Sequence, residues 1–174
     1  MAKERSNLFP YNPKALTTVF KSKDAVCDCC GKKTDMVYEG PSYYHECDEY
    51  PELCPECVAS GAAHEKFGCS FVSYFSRKVV DKDAIYRLSY CTPPYFAWQE
   101  PYFPSCCGDF CAFVDDVGVE DLEELGIYDE VVNSYEEDGG DPYDVAHIEA
   151  VGSPAGYLFR CRHCGKYHLH IDYD

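Results

Sequence analysis

From Leu88 to Phe159 the chain has no lysine and no arginine. That window carries 16 acidic residues, while the rest of the chain balances 15 basic against 15 acidic side chains. The formal net charge of -16 therefore belongs to one segment. This balance disfavours direct nucleic-acid binding, because phosphate contacts need a basic footprint. Long apolar runs are missing too, so no segment reads as a membrane span. Met1 to Pro10 lacks the apolar stretch of a secretion signal, which leads us to expect a cytoplasmic protein. No G-x-S-x-G, Walker or G-x-G-x-x-G pattern occurs, and no spacing of carboxylates marks an acid–base pair. The expectation is a protein that is not an enzyme.

What the 174 residues do have is a full apolar complement, 46%, with 16 Tyr and 10 Phe, enough for a packed core. They also contain 13 cysteines. An odd number without an export signal argues against a disulfide framework and leaves metal ligation, redox chemistry or simple burial. Cys27-Asp28-Cys29-Cys30-Gly31-Lys32 and Cys161-Arg162-His163-Cys164-Gly165-Lys166 share the pattern C-x-x-C-G-K. Cys54-Pro55-Glu56-Cys57 is a third C-x-x-C, and Cys107-Gly108-Asp109-Phe110-Cys111 is a C-x-x-x-C. Cys47, Cys69, Cys91 and Cys106 stand alone, and Cys29 has no assigned role.

Strand-forming residues flank both C-x-x-C-G-K elements. Ala25-Val26 leads into the first and Met36-Val37-Tyr38 follows it; Tyr157 to Arg160 and Tyr167 to Ile171 frame the second. Each reads as a tight turn between antiparallel strands. Cys54-Pro55 opens a helical stretch from Glu56 to Lys66. Val119 to Tyr135 reads as helix broken at Gly126, with Leu122, Leu125 and Val132 on one face, and Glu136 to Pro142 as an acidic loop. Pro93-Pro94, Pro101 and Pro104 mark an extended, aromatic-lined connection. The expected class is α+β, with zinc-ribbon-like antiparallel β elements, short helices and two structural Cys₄ zinc sites in a single domain of residues 1–174. Its sub-modules would be 25–75, the first zinc unit, and 88–174, the acidic segment with the second.

Two residues between cysteines let both thiolates face one cation, and a following glycine permits positive φ and frees backbone N–H groups for the sulfurs. Four thiolates close a tetrahedral Zn²⁺ site. The first expected set is Cys27, Cys30, Cys54 and Cys57; the alternative is four unliganded core thiols. The second is Cys107, Cys111, Cys161 and Cys164, with Cys106 as a substitute for Cys107. Its long intervening segment is no obstacle, because loop-closure entropy grows slowly. Lys32 and Lys33 beside the first set, and Arg160, Arg162 and Lys166 beside the second, are placed to offset the negative charge of each site. A redox role for Cys54 and Cys57 competes, but the βαβ pattern that would carry it is missing. His168 and His170 share one predicted strand and could bind metal; two such histidines are more commonly surface or half-buried residues.

Several segments together resemble the CbrC-like family of bacterial proteins, associated by name with colicin tolerance. They are Phe9 to Pro13, Val26 to Lys32, Leu53 to Gly61, Thr92 to Tyr95 with Trp98-Gln99, Cys107 to Phe113, and Tyr157 to Lys166. The resemblance implies a cytoplasmic protein linked to tolerance of protein toxins and brings no catalytic residues with it. An immunity protein that neutralises a basic, nuclease-type toxin domain is the first functional expectation. Its partner surface would be Asp115, Asp116, Glu120, Glu123, Glu124, Tyr128, Tyr135, Glu136, Glu137, Asp138 and Tyr143, with tyrosines as anchors among the acids. A zinc-stabilised scaffold or regulator of another basic host protein would use the same physics. An enzyme is the third class, and no residue constellation supports it.

Overall fold

The computed structural model describes residues 8–42 and 50–173, and Cys47 lies outside them. The described chain forms two compact units. One comprises residues 8–74 and 80–96, the other 75–79 and 97–173.

The first unit begins with the short helix α1 (Ala15–Thr18) and a hairpin of β1 (Phe20–Val26) and β2 (Lys33–Tyr38). Val26 pairs with Lys33, so the loop between them is the first C-x-x-C-G-K element. Aromatic rings supply much of the packing: Phe9 stacks on Phe20, Phe20 meets Tyr38 edge-on, and Tyr38 meets Phe71 edge-on, each with centroids 5.3 to 5.5 Å apart. Helix α2 (Pro55–Ala59) starts with Cys54 as N-cap and Pro55 at the first helical position, where a missing N–H costs nothing. The single helix expected from Glu56 to Lys66 is two. Gly61 takes φ 81°, ends α2 and opens α3 (Ala62–Phe67). Asn12 is fully buried and its Nδ2 donates to Pro93 O at 3.0 Å, which lays the Phe9-to-Pro13 segment onto Thr92-to-Tyr95.

The chain passes between units within β3 (Tyr74–Phe75). It returns to complete the first unit with α4 (Lys82–Cys91), a helix the residue pattern does not announce. Asp81 caps it, accepting from the N–H groups of Asp83 (2.8 Å) and Ala84 (3.4 Å).

In the second unit, β4 (Tyr102–Phe103) is followed by a miniature hairpin of β5 (Ser105–Cys106) and β6 (Asp109–Phe110). The main sheet has three antiparallel strands in the order β7 (Ala112–Val117), β8 (Ala155–Arg160) and β9 (Tyr167–Asp172). Between β7 and β8 run α5 (Val119–Glu124), α6 (Tyr128–Glu137) and α7 (Pro142–Val145). Gly126, with φ 67°, makes the expected break between α5 and α6. The core forms where Leu122, Val131 and Val145 of these helices meet Leu158, Leu169 and Ile171 of the sheet. Leu125 does not share that face: α5 ends before it, and it is 59% exposed. Val131 occupies the buried position instead. The acidic stretch after Tyr135 is also more regular than a loop, since α6 continues to Glu137 and α7 starts at Pro142.

The structure is thus a mixed α+β arrangement of small antiparallel sheets and short helices.

Candidate metal centres

Both C-x-x-C-G-K elements adopt the same local geometry. In the first, Cys27 N–H donates to Lys32 O (2.9 Å) and Gly31 N–H to Cys27 O (2.7 Å). In the second, Cys161 N–H donates to Lys166 O (2.8 Å) and Gly165 N–H to Cys161 O (3.1 Å). Gly31 and Gly165 take φ of 71° and 79°. This left-handed turn is what a residue with a Cβ resists, and it folds the chain back so that both sulfurs face one point.

The first centre joins this turn to the start of α2. Asp28 N–H donates to Glu52 O (2.9 Å) and Glu52 N–H to Asp28 Oδ2 (2.7 Å), while Tyr38 N–H donates to Leu53 O (3.0 Å). These bonds hold the Cys54 segment against the hairpin. The Sγ atoms of Cys27, Cys30, Cys54 and Cys57 then all lie within 4.8 Å of one another. Cys27, Cys54 and Cys57 are buried and Cys30 is exposed.

At the second centre the structure corrects the expected ligand set. The four sulfurs within 4.8 Å are those of Cys106, Cys107, Cys161 and Cys164, and Cys111 is not among them. The reason is the β5–β6 hairpin. Cys106 pairs with Asp109, so Cys107 and Gly108 form a two-residue turn, with φ of 54° and 80°. This primed turn holds Cys106, at its foot, and Cys107, within it, at the same end of the hairpin. Cys111 lies beyond the hairpin, fully buried, where burial pushes its thiol pKa up. The C-x-x-x-C spacing was misleading because Cys106 and Cys107 enter the turn together, whereas Cys111 follows the hairpin.

Both sets pass a simple fit test. Four sulfurs about 2.3 Å from a central ion sit about 3.8 Å apart along tetrahedral edges. Cys106 Sγ is 3.7 Å from the Sγ atoms of both Cys107 and Cys164, and Cys30 Sγ is 4.0 Å from Cys54 Sγ. All of these cysteines are free thiols. Each set is compatible with a structural Zn²⁺.

Electrostatics in each set point the same way. Burial opposes ionisation of Cys27, but backbone N–H groups of Cys54, Cys30 and Cys29 outweigh it and lower its pKa to about 7. Cys54 N–H lies 3.3 Å from Cys27 Sγ. Burial pushes Cys54 up to about 12, and the neighbouring thiols add to the rise at Cys57. At the second centre burial likewise opposes Cys161, yet N–H groups of Cys164 and His163 bring it down to about 6. Burial and the adjacent sulfurs raise Cys106. Cys27 and Cys161 therefore ionise more readily than Cys54, Cys57 and Cys106, whose thiols burial pushes up. A dication bound at the centre would favour the thiolate form of all four.

The basic residues are arranged less simply than expected. Lys66, which sequence reasoning did not single out, donates to Asp28 O (2.6 Å) and Cys29 O (3.1 Å) on the first turn. At the second turn Arg160 Nε bonds Gly165 O (3.1 Å), but Arg162 pairs with Asp109 (2.9 Å) and Lys166 with Glu137 (2.5 Å). Asp109 Oδ2 also meets His163 Nε2 at 3.0 Å, tying the second turn to the hairpin that carries Cys106. The two strand histidines are not in either sulfur set. His168 is buried, its Nδ1 facing Asp138 Oδ2 (3.0 Å) and Ser134 Oγ (3.3 Å), and burial lowers the pKa of His170.

The expected partner surface divides. Asp115, Asp116, Glu120, Glu123, Glu124, Glu136, Glu137 and Asp138 are exposed. Tyr143 is 68% exposed. Tyr128 and Tyr135 are only partly exposed and pack against the core cluster beneath the helices.

A family model described as "Uncharacterised protein family (UPF0167)" matches residues 7–173. The chain belongs to this family. It is 30% identical to "UPF0167 protein PA1536" of Pseudomonas aeruginosa, over 95% of this chain and 96% of that one. It is 29% identical to "UPF0167 protein Mb2317" of Mycobacterium bovis and to "UPF0167 protein MT2352" of Mycobacterium tuberculosis, over 95% of this chain and 92% of each. No solved structure gives a significant match. Among the described residues no helix of this UPF0167 member is long and apolar enough to cross a membrane.

Proposed function

We propose that this UPF0167 protein is a cytoplasmic, non-enzymatic binding protein that holds two structural Zn²⁺ ions and neutralises a basic, nuclease-type toxin domain through its acidic face. Two features support the metal reading: two sets of four sulfurs, each within 4.8 Å of one another, and a thiolate donor set that favours Zn²⁺ over harder cations. A closed set leaves no position for a reacting water, which agrees with a structural role. The observation that carries the partner reading is the set of exposed carboxylates on α5 and α6, drawn from a segment without lysine or arginine. Nuclease domains carry positive charge where they hold phosphate, and an inhibitor of opposite sign is steered onto that groove. The likeness to CbrC-like proteins agrees with a role in toxin tolerance.

Association kinetics with purified nuclease toxin domains test this reading. One domain should bind at a rate that falls steeply with salt and lose its nuclease activity in the complex. Glu120, Glu123, Glu124 and Glu136 changed together to Gln should slow association and flatten the salt dependence, while leaving the Lys166–Glu137 contact intact. Equal weak binding to every basic protein offered would overturn the reading. Tight capture of a basic host protein instead would favour a regulator.

A further inference from the structure

We infer that the Cys106/Cys107/Cys161/Cys164 set is an exchangeable site for a thiophilic divalent cation, and that its occupancy holds the acidic helix α6 in place. The inference rests on the metal reading above and not on the toxin partner.

The two sulfur sets differ in protection. At the first, Cys27, Cys54 and Cys57 are buried, and only Cys30 is exposed. At the second, Cys107 and Cys164 are exposed, Cys106 is half-buried, and Cys161 alone is buried. Chelators and incoming ions reach a metal through exposed sulfurs, so the second centre is the open one. Backbone donors differ in the same sense. Backbone N–H groups reach Cys27 and Cys54 at the first centre. Among the described residues, those at the second converge on Cys161, from His163 (3.4 Å) and Cys164 (3.5 Å). Such bonds orient a thiolate and offset its charge, and their loss commonly weakens a metal site by about ten- to a hundredfold. Of the cations near the second turn, Arg160 bonds Gly165 O, but Arg162 is held by Asp109 and Lys166 by Glu137. Four thiolates around a dication leave a net double negative charge, and here carboxylates compete for the side chains that would balance it.

The same turn carries the attachments of α6. Lys166 Nζ meets Glu137 Oε2 at 2.5 Å, Tyr167 N–H donates to Glu130 Oε1 at 3.1 Å, and His168 Nδ1 meets Asp138 Oδ2 at 3.0 Å. These three consecutive residues follow Cys164-Gly165 directly, so the backbone that closes around the cation is the backbone that presents the anchors. Releasing the ion removes the sulfur link between this turn and the β5–β6 hairpin, leaving the contacts of Asp109 with Arg162 and His163, and the spacing of the anchors is no longer fixed by the four sulfurs.

Zinc release from the fully loaded, reduced chain can be followed with a chromogenic chelator, with hydrogen exchange measured on the one-zinc species. The expected result is two phases, the faster at least about tenfold quicker. The one-zinc species should have lost protection over 128–137 and kept it over 20–38. In Cys164→Ser the fast phase should vanish and the slow one persist. Added Cd²⁺ should displace one equivalent on the fast timescale. A single release phase, loss of the first-centre ion before the second, or unchanged protection of α6 in the one-zinc species would each overturn the inference. A chain that takes up no zinc at all would instead defeat the metal reading on which it stands.

Discussion

A thiol serves a metal only if its sulfur converges with its partners on one point, and Cys106 and Cys111 separate on that condition. Cys106 sits at the foot of a two-residue turn with its sulfur 3.7 Å from Cys164, while Cys111 is fully buried beyond the hairpin. Cys106→Ser should therefore reduce the zinc content from two ions per chain to one. Cys111→Ser should keep both ions and cost stability, because a hydroxyl without a partner in an apolar site is penalised by about 1–3 kcal/mol. Elemental analysis with urea unfolding of the two variants checks both statements, and the reverse pattern would restore Cys111 to the metal. At this scale the residues showed which thiols come in pairs, because the C-x-x-C-G-K turn needs only its own glycine to close. They did not show which thiol completes the second set, because that depends on how a hairpin of four strand residues is registered.

Elements were legible where one local signal decided them. Both glycine-closed turns fall between antiparallel strands, and Gly126 separates α5 from α6. Gly61 carried the same signal, yet the alanines on either side of it argued for continuity. Helix α4 was hidden for another reason. Of its ten residues only Leu88, Ser89 and Cys91 are buried, too sparse a stripe to stand out as periodic. Its start is set by Asp81, whose carboxylate satisfies two N–H groups that the first turn would otherwise leave unpaired. Asp81→Ala should cost about 1 kcal/mol, read as a lower urea midpoint with unchanged slope, while Asp81→Ser or Asp81→Asn should recover most of it. Equal loss in all three variants would mean that the carboxylate acts by charge rather than as a cap.

For the whole molecule, the net charge of -16 sets a stability term that no single contact shows. Ion pairs offset little of it. Lys21–Glu39 and Lys78–Asp138, each 3.5 Å, join exposed side chains, and such pairs contribute about 0–1 kcal/mol. Repulsion among exposed carboxylates along 115–138 acts in the opposite direction and has no basic residue of the same segment to interrupt it. Salt weakens both effects, since the screening length falls from about 30 Å at 0.01 M to about 10 Å at 0.1 M. The longer-ranged repulsion is screened first, because neighbouring carboxylates interact across distances that the lower salt leaves unscreened, while paired groups stay in contact. Sodium chloride should therefore stabilise the zinc-loaded protein. A gain of about 1 kcal/mol would raise Tm by about 2–4 °C for a chain of this size. Calorimetry at constant pH and zinc, from 0.01 to about 0.3 M salt, measures it. A Tm that stays level or falls would show that the carboxylates already sit far enough apart, or are well enough hydrated, to make no net demand on the fold. In that case a basic partner would gain its affinity from contacts alone, without relieving any strain in the free protein.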